Sequence, residues 1–250
     1  MALQEEMEVQ GNYLFKYRGT FPIIILVLGF IIFLQTVMHK KEFPDVNSFK
    51  DNYYIYICLL VSLFGLYIRI YTVGHTPANT SGRNTEGQLA DTLNQTGIYS
   101  IVRHPLYLGN FFMWLGVAML TENLWFIVAF VFIYWVYYER IMYAEEQFLR
   151  KKFGHTYTNW AGGTPAFFPR FSQFVKPSLP FSWKKVLKKE KNGLVAVFML
   201  FFFFYASGQF ILGKKIDNPF LAYGCVVSIV LYLVLKYLKK YTKVFDEEGR

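Results

Sequence analysis

Residues 105–143 read PLYLGNFFMWLGVAMLTENLWFIVAFVFIYWVYYERIMY, two apolar runs separated by the polar tripeptide Thr121-Glu122-Asn123. Roughly 20 apolar residues, each rising about 1.5 Å, are enough to cross the hydrocarbon core of a bilayer as a helix. The pattern therefore predicts two membrane helices, 105–120 and 124–143. They form a hairpin with a tight turn, in which the Thr or the Asn caps the second helix.

Outward from this hairpin, four more apolar runs have the length and composition of membrane helices. Of the 250 residues, 54% are hydrophobic and 20% aromatic, which is too apolar for a disordered chain or for a single water-soluble core. We expect an all-α polytopic membrane protein of about six transmembrane helices with a central helical hairpin. The four further runs are 21–38, 53–71, 194–212 and 219–238.

The net charge of +9 is concentrated in a few polar segments. Cytoplasmic loops of membrane proteins carry the excess of Lys and Arg. With the N-terminus inside, twenty-one of these cations fall on the cytoplasmic side and five on the other. The sequence thus predicts an integral protein of a cell, inner or ER-type membrane with both termini cytoplasmic. Arg69 is expected to snorkel to the headgroups, and 184–191 to lie on them as a basic helix.

Three regions follow from this topology. Residues 1–71 hold the first two membrane helices, and residues 193–250 hold the last two with a basic tail. Residues 72–192 hold a polar loop, the hairpin and a basic segment after it. The loop 72–104 is too long for a simple connector and is therefore a candidate functional loop.

A group of ionisable side chains is predicted at the cytoplasmic end of the hairpin. Arg103 and His104 stand where the chain enters the membrane, and polar groups at that depth are costly unless they are paired or functional. Glu145 and Glu146 lie one helix length downstream. Neighbours on a helix are about 100° apart, so we expect one acid to face the hairpin and the other solvent. The cluster is either a buried ion pair or a pocket for a zwitterionic or cationic small molecule.

Several motifs in this region resemble those of the isoprenylcysteine carboxyl methyltransferase family, which is similar to the membrane phospholipid methyltransferases. The resemblance covers roughly residues 88–169. It implies a membrane-embedded methyltransferase that uses S-adenosylmethionine without a Rossmann domain, and no Gly-x-Gly-x-x-Gly motif follows a strand here. The motifs are Gly97-Ile98-Tyr99, Arg103-His104-Pro105-Leu106-Tyr107-Leu108-Gly109, Glu145-Glu146, Phe153-Gly154, Tyr157, Pro165 and Pro169.

The resemblance also implies roles for individual residues. Glu145 would pair with a cationic group of the cofactor, and Arg103 or His104 with its carboxylate. Arg103, beside the expected path of the methyl group, is the candidate catalytic residue, and residues 153–169 would fold back as a lid. No metal is expected, because Cys58 and Cys225 lie in apolar runs and the histidines are scattered. The cofactor-binding candidates are Leu93, Asn94, Tyr99, His104, Tyr107 and Glu145.

The methyl acceptor is expected to be a membrane lipid or a lipid-anchored molecule. Where eukaryotic members of the family have an arginine linked to the acceptor carboxylate, this chain has Ile141, and Arg140 faces another way. The donor-rich loop 79–85 contains Arg83 and suits a phosphorylated headgroup. We therefore favour a headgroup amine or a phosphate oxygen over a prenylcysteine carboxylate, with Arg83 and Arg140 as candidate substrate-binding residues. No nucleic-acid partner is expected, and the oligomeric state stays open.

Two other classes of function remain as alternatives. A sterol-type membrane reductase that uses NADPH has a similar Arg-His-Pro hairpin, but typically with Asn after Pro and an acid after Gly, where this chain has Leu106 and Asn110. A non-enzymatic scaffold or transporter would carry polar residues along its spans. The predicted spans here are almost free of charge apart from Glu139 and Arg140.

Overall fold

A computed structural model describes residues 2–42, 51–78, 88–247 and 249 of the chain. The described residues form eight α-helices and no β-strand, with one isolated bridge between Gly97 and Val175. The predicted all-α class is confirmed. The helices are α1 (Leu3–Lys16), α2 (Phe21–Glu42), α3 (Asp51–Gly74), α4 (Pro105–Met119), α5 (Leu124–Phe153), α6 (His155–Gly163), α7 (Trp183–Leu212) and α8 (Pro219–Tyr241).

All six predicted apolar runs lie in helices. Five of these helices, α2, α3, α5, α7 and α8, are long and apolar enough to cross a membrane, and α4 is a shorter apolar helix. The chain is an integral membrane protein. With 15 residues α4 measures about 22 Å, whereas α5 has 30 residues and continues well past the first residue of α4. This overhang brings the last turns of α5 beside the polar segment that precedes α4.

The turn of the α4–α5 hairpin is capped as the sequence predicts. Oδ1 of Asn123 accepts a hydrogen bond from the backbone amide of Phe126 at 2.9 Å, which satisfies one of the unpaired donors at the start of α5. The hydroxyl of Thr121 accepts the amide of Asn123 at 3.3 Å. Both polar side chains proposed for the cap therefore contribute to it.

Helix α3 lies between α4 and α7 and contacts both extensively, while α2 and α8 pack on α7. Small residues allow the close approach of α3 and α4. A Cβ atom added at Gly116 would meet the carbonyl oxygen of Cys58 and the side chain of Ser62, and one added at Gly65 would meet the carbonyl of Gly109. Because helices in a membrane gain stability mainly from close packing, these contacts hold the hairpin against α3.

Helix α1, for which the sequence analysis predicted no helix, packs along α5. The hydroxyl of Tyr137 donates to the carbonyl of Leu14 at 3.1 Å, and Lys151 pairs with Glu8 at 2.5 Å. Gly11 is buried against the backbone of α5, so the two helices touch closely. The first half of α1 therefore lies beside the polar end of α5, and the end of α1 lies near Tyr137.

The expectation that the basic segment 184–191 lies on the headgroups as a separate helix is wrong. The segment forms the first turns of α7, which begins at Trp183 rather than near residue 194, so the proposed boundary at residue 193 falls inside this helix. The side chain of Lys185 is buried, and its ammonium donates to the carbonyl oxygens of Thr76 at 2.6 Å and Pro77 at 2.7 Å. The segment does not lie on headgroups as a separate helix, because this lysine binds the carbonyls that follow α3.

Candidate functional site

The backbone just before α4 is held by the segment that follows α6. The amide of Arg103 donates to the carbonyl of Pro165 at 2.9 Å, and the amide of His104 donates to that of Ala166 at 3.2 Å. Pro105 occupies the first position of α4, where its missing N–H costs nothing. Two consecutive polar residues are therefore fixed at the entrance to the hairpin.

The imidazole of His104 lies between two carboxylates from neighbouring positions of α5. Its Nε2 is 2.9 Å from Oε1 of Glu146, and its Nδ1 is 3.6 Å from Oε2 of Glu145. The guanidinium of Arg103 pairs with Glu146 at 3.3 Å. The expectation that one acid faces solvent is wrong: the ring presents a nitrogen to each side and so accommodates two side chains that diverge by about 100°.

The surroundings of His104 favour its charged form. Burial disfavours the imidazolium, but hydrogen bonding and charge attraction from Glu145 and Glu146 outweigh it, so the pKa of His104 is raised above its usual 6.5. The protonated ring carries N–H groups at both nitrogens. When protonated, His104 neutralises part of the negative charge that the two carboxylates concentrate here.

Glu145 is oriented by a second hydrogen bond. The hydroxyl of Tyr107 donates to its Oε1 at 2.8 Å, and the carbonyl of Tyr107 accepts the hydroxyl of Tyr134 at 2.7 Å. The ring of Tyr138 stacks on that of Tyr134 with centroids 4.2 Å apart. An aromatic layer therefore supports the carboxylate from the membrane side, and its direction is set before any ligand binds.

The side chains of His104, Tyr107 and Glu145 face a cavity of about 660 Å³, which is within the range of small-molecule sites. The cofactor candidates and Arg103 all line it, so the structure brings the predicted set together. The other end of the cavity is apolar and lies between α4 and α7. The predicted lining residues are Leu93, Asn94, Tyr99, Arg103, His104, Tyr107 and Glu145, and the apolar end includes Met113, Trp114, Val117, Ala196, Val197 and Leu200.

One of the two substrate-binding candidates, Arg140, does not join this set. Arg140 lies outside the cavity lining, and its guanidinium contacts Gln10 of α1 at 3.3 Å and Glu139 at 3.3 Å. Its position on the side of α5 that α1 covers explains why it does not face the cavity. Arg83 lies outside the described residues. Ile141, beside Arg140, is completely buried.

A buried triad in the cavity wall was missed by the sequence analysis. Nε and a terminal nitrogen of Arg69 donate to the two carboxylate oxygens of Glu190 at 2.8 and 2.7 Å, and its other terminal nitrogen donates to Asn110 at 2.7 Å. The expectation that Arg69 snorkels is wrong, because this bidentate pair holds it inside the bundle. The signal available was a lone Arg in an apolar run and one Glu in a basic segment.

The predicted lid segment contains α6 and borders the cavity. The indole N–H of Trp160 donates to the carbonyl of Tyr99 at 3.3 Å, and Trp160 itself lines the cavity. The guanidinium of Arg103 reaches the carbonyl of Ala161 at 3.5 Å. Its Nε is buried and finds no hydrogen-bond partner in the described part of the chain. Buried donors are normally hydrogen-bonded, so the Nε–H of Arg103 is suited to donate to an acceptor atom of a bound ligand.

No group of three or more His, Cys, Asp or Glu residues able to hold a metal occurs within the described residues. The cavity lining combines carboxylate, guanidinium, imidazole and phenol groups with aromatic and aliphatic walls. This combination suits an organic ligand that carries charges of both signs and an apolar portion.

Comparison with known proteins confirms the resemblance that the motifs indicate. The family model described as phospholipid methyltransferase matches residues 54–156, which include most of α3, all of α4 and α5, and the whole candidate cluster. No solved structure gives a significant match to the chain.

Three curated relatives illustrate the similarity. The chain is 28% identical over 134 residues to the protein-S-isoprenylcysteine O-methyltransferase of Saccharomyces cerevisiae, covering 51% of this chain and 55% of that protein. It is 34% identical over 118 residues to the cobalt-zinc-cadmium resistance protein CzcN of Cupriavidus metallidurans, covering 46% and 52%. A probable protein-S-isoprenylcysteine O-methyltransferase of Oryza sativa is 28% identical over 142 residues, covering 55% and 71%. The chain spans about half the length of the first two. The names of the family and of two of these relatives indicate a methyltransferase.

Proposed function

We propose that this protein is a membrane-embedded methyltransferase that uses S-adenosylmethionine and methylates a lipid or a lipid-anchored acceptor. The observation that carries the proposal is the two-ended cavity. One end groups Arg103, His104 and Glu145, and the other is apolar and lies among membrane helices. A polar cofactor and a lipidic acceptor would meet between these ends. Similarity to enzymes named for isoprenylcysteine and phospholipid substrates supports the same assignment.

The lining residues fit the cofactor in charge and shape. When bound, S-adenosylmethionine supplies an electrophilic methyl group on a sulfonium, next to an ammonium and a carboxylate. Glu145, aimed by Tyr107, offers the counter-charge for a cation. Arg103 offers its buried Nε to an acceptor such as a carboxylate. Leu93, Asn94, Tyr99 and Trp160 supply an apolar, amide and aromatic wall for a nucleoside.

The protein's contribution to the reaction would be alignment and exclusion of water. Methyl transfer disperses the charge of a sulfonium, so it depends on in-line positioning in a dry site more than on a strong base. Trp160 and the backbone contacts of Arg103 and His104 close the cavity toward α6. We assign Arg103 as the catalytic residue, since its charge can orient the reacting groups. Arg103→Ala should retain less than about a tenth of wild-type turnover.

For the acceptor we favour a headgroup amine or phosphate oxygen over a prenylcysteine carboxylate. Ile141 is buried and offers no charge. Arg83 remains a proposed headgroup contact. Arg140, which the structure places against α1, would act only through a rearrangement of that helix. The Lys and Arg distribution supports a cofactor pocket and both termini on the cytoplasmic side.

The direct test is methyl transfer in a reconstituted system. Purified protein in vesicles that contain phosphatidylethanolamine would be incubated with methyl-labelled S-adenosylmethionine, and N-acetyl-S-farnesylcysteine would serve as the carboxylate acceptor in a parallel reaction. Label in the phospholipid fraction would support the favoured acceptor, and label in the farnesylcysteine ester would correct it to a carboxylate. Absence of label in both, and in vesicles of total membrane lipid, would overturn the proposal.

A further inference from the structure

We propose that the side-chain amide of Asn110 donates hydrogen bonds to an anionic oxygen of the methyl acceptor. That oxygen belongs to a phosphate or a carboxylate carried by a lipid chain. The inference rests on the proposed function and adds a specificity-determining residue to the same cavity, which Asn110 lines. Arg69 and Glu190 act as positioning residues, because they hold the amide in one orientation.

Asn110 lies on α4 at the junction of the two ends of the cavity. Residues three or four positions apart share one face of a helix, and Tyr107, Asn110 and Trp114 all line the cavity from α4. Tyr107 binds Glu145 at the polar end, whereas Trp114 belongs to the apolar end. Asn110 is five residues beyond Pro105, which is about 7.5 Å along the helix. An acceptor that fills the apolar end can therefore contact Asn110 while the polar end holds the cofactor.

The orientation of the Asn110 amide is set by Arg69. A terminal nitrogen of Arg69 donates to Oδ1 of Asn110 at 2.7 Å, and because a guanidinium can only donate, the amide must turn its oxygen toward it. The side chain of Arg69 crosses α4 at Gly109, where an added Cβ atom would meet its Cγ. Glu190 accepts two further hydrogen bonds from the same guanidinium at 2.8 and 2.7 Å. The triad thus determines which edge of the amide a ligand can reach.

The nitrogen of this amide is open to a ligand. Nδ2 of Asn110 makes no hydrogen bond within the described part of the chain, and the residue is only partly buried in the cavity wall. Nδ2 carries two N–H donors and does not accept, so it binds an oxygen and not a headgroup ammonium. Polar groups among membrane helices are costly unless they are paired or functional. The hydrogen bond from Arg69 polarises the amide and so strengthens donation to an anion.

The charges around Asn110 are compatible with an anionic oxygen. Arg69 and Glu190 balance each other, so the triad carries no net charge that would repel it. In the acceptors considered above, such an oxygen lies within a few bonds of the atom to be methylated. A hydrogen bond to it would hold that atom beside the cofactor end. Glu190 lies outside residues 54–156, so this arrangement uses a part of the chain that the family model does not match.

The test measures binding of lipid probes to the full-length protein in detergent. The two probes with an anionic oxygen are a short-chain phosphatidylethanolamine and N-acetyl-S-farnesylcysteine. Their counterparts without it are the matching diacylglycerol and N-acetyl-S-farnesylcysteamine. Asn110→Asp keeps an oxygen for Arg69 and replaces the N–H donors by an acceptor in nearly the same volume. The control Asn159→Asp makes the same change at an exposed position of α6 outside the cavity lining.

Asn110→Asp should weaken binding of one or both probes with an anionic oxygen by about tenfold or more, as expected for loss of a hydrogen bond to a charged group. Binding of the two counterparts and of S-adenosylhomocysteine should stay unchanged, as should all binding to Asn159→Asp. Weakening confined to the phospholipid would identify a phosphate as the bound group, and weakening confined to the farnesylcysteine would identify a carboxylate.

Three results would overturn the role of Asn110. They are unchanged affinity of Asn110→Asp for both probes, equal weakening of a probe and its counterpart, and no probe binding to a wild type that binds S-adenosylhomocysteine. Absence of S-adenosylhomocysteine binding to the wild type would instead overturn the proposed function. If Asn110→Asp loses the probes and S-adenosylhomocysteine together, Asn110→Leu decides. Loss of only the probes with an anionic oxygen would support the role, and any other result would assign Asn110 to the structure alone.

Discussion

The hydroxyl of Tyr107 lies 2.8 Å from Oε1 of Glu145 and donates a hydrogen bond to it, which links the first turn of α4 to the last turns of α5. Because this bond aims the carboxylate into the cavity, we expect cofactor binding to depend on it. Tyr107→Phe keeps the ring and removes the donor. We expect affinity for S-adenosylhomocysteine to fall by about tenfold or more, because a hydrogen bond to a charged group contributes about 1.5–3 kcal/mol.

The matched control for this variant is Tyr137→Phe. The hydroxyl of Tyr137 donates to the carbonyl of Leu14, and neither residue lines the cavity. Removal of this hydroxyl should leave the dissociation constant for S-adenosylhomocysteine unchanged. Equal affinities for wild type and Tyr107→Phe would contradict the orienting role of Tyr107.

A second prediction concerns the buried pair of Arg69 and Glu190. Their side chains are only 16% and 4% exposed, so removing one partner leaves a buried charge without compensation. We expect Glu190→Met to reduce the free energy of unfolding by about 3–5 kcal/mol. The measurement is thermal unfolding in detergent. The double variant Arg69→Met/Glu190→Met should recover much of the loss, because no charge is then stranded.

Lys40→Gln provides the comparison for this pair. It removes one side of the Lys40–Glu122 ion pair, whose side chains are 23% and 35% exposed, and should cost only about 0–1 kcal/mol. If Glu190→Met lowered the free energy of unfolding no more than Lys40→Gln does, the guanidinium of Arg69 would be solvated and not buried in the bundle.

The raised pKa of His104 predicts a pH dependence of stability. A base whose pKa is higher in the folded state stabilises that state fully below its unfolded pKa, and the contribution is lost as pH rises through the folded pKa. The unfolding temperature of the wild type should therefore decline as pH rises above about 6.5, and less in His104→Asn. His155→Asn, at an exposed ring, should follow the wild-type profile. Identical profiles for wild type and His104→Asn would exclude the charged ring between Glu145 and Glu146.

The fourth prediction tests the close contact of α3 and α4. Even the methyl group of Gly116→Ala would meet the carbonyl oxygen of Cys58. Overpacking of this kind typically costs about 1–3 kcal/mol, so the unfolding temperature should fall by several degrees. In Gly162→Ala the new methyl group meets open space. A fall of the same size in both variants would show that the helix contact is not the cause.

Much of the fold was predictable because its signals are local. Each apolar run, the Asn123 cap and the entry of the chain at Pro105 depend on neighbouring residues, and each was confirmed. The cofactor candidates were also found together, since they flank one short hairpin and the loop before it. Here sequence proximity and spatial proximity coincide.

The features that the sequence analysis missed depend on distant partners or on side-chain reach. Arg69 pairs with Glu190, which lies 121 positions further along the chain. The residues next to Arg69 in the sequence do not indicate this pairing. Helix α1 is short and polar, and nothing close to Arg140 in the sequence indicates that its guanidinium contacts Gln10 of this helix. Glu145 and Glu146 both reach the imidazole of His104 because its two nitrogens face opposite ways. The 100° angle between neighbouring helix positions, taken alone, does not predict that one ring can contact both side chains.

The proposed function depends on Glu145 as part of a site for S-adenosylmethionine. The most direct measurement is calorimetric titration of S-adenosylhomocysteine into the detergent-purified wild type, Glu145→Gln and Glu139→Gln, with NADPH titrated separately. Glu139 is the control, because it lies on the same helix outside the cavity lining. We expect micromolar binding to the wild type and Glu139→Gln, at least about tenfold weaker binding to Glu145→Gln, and no binding of NADPH. Binding of NADPH without S-adenosylhomocysteine, or equal binding to all three proteins, would contradict it.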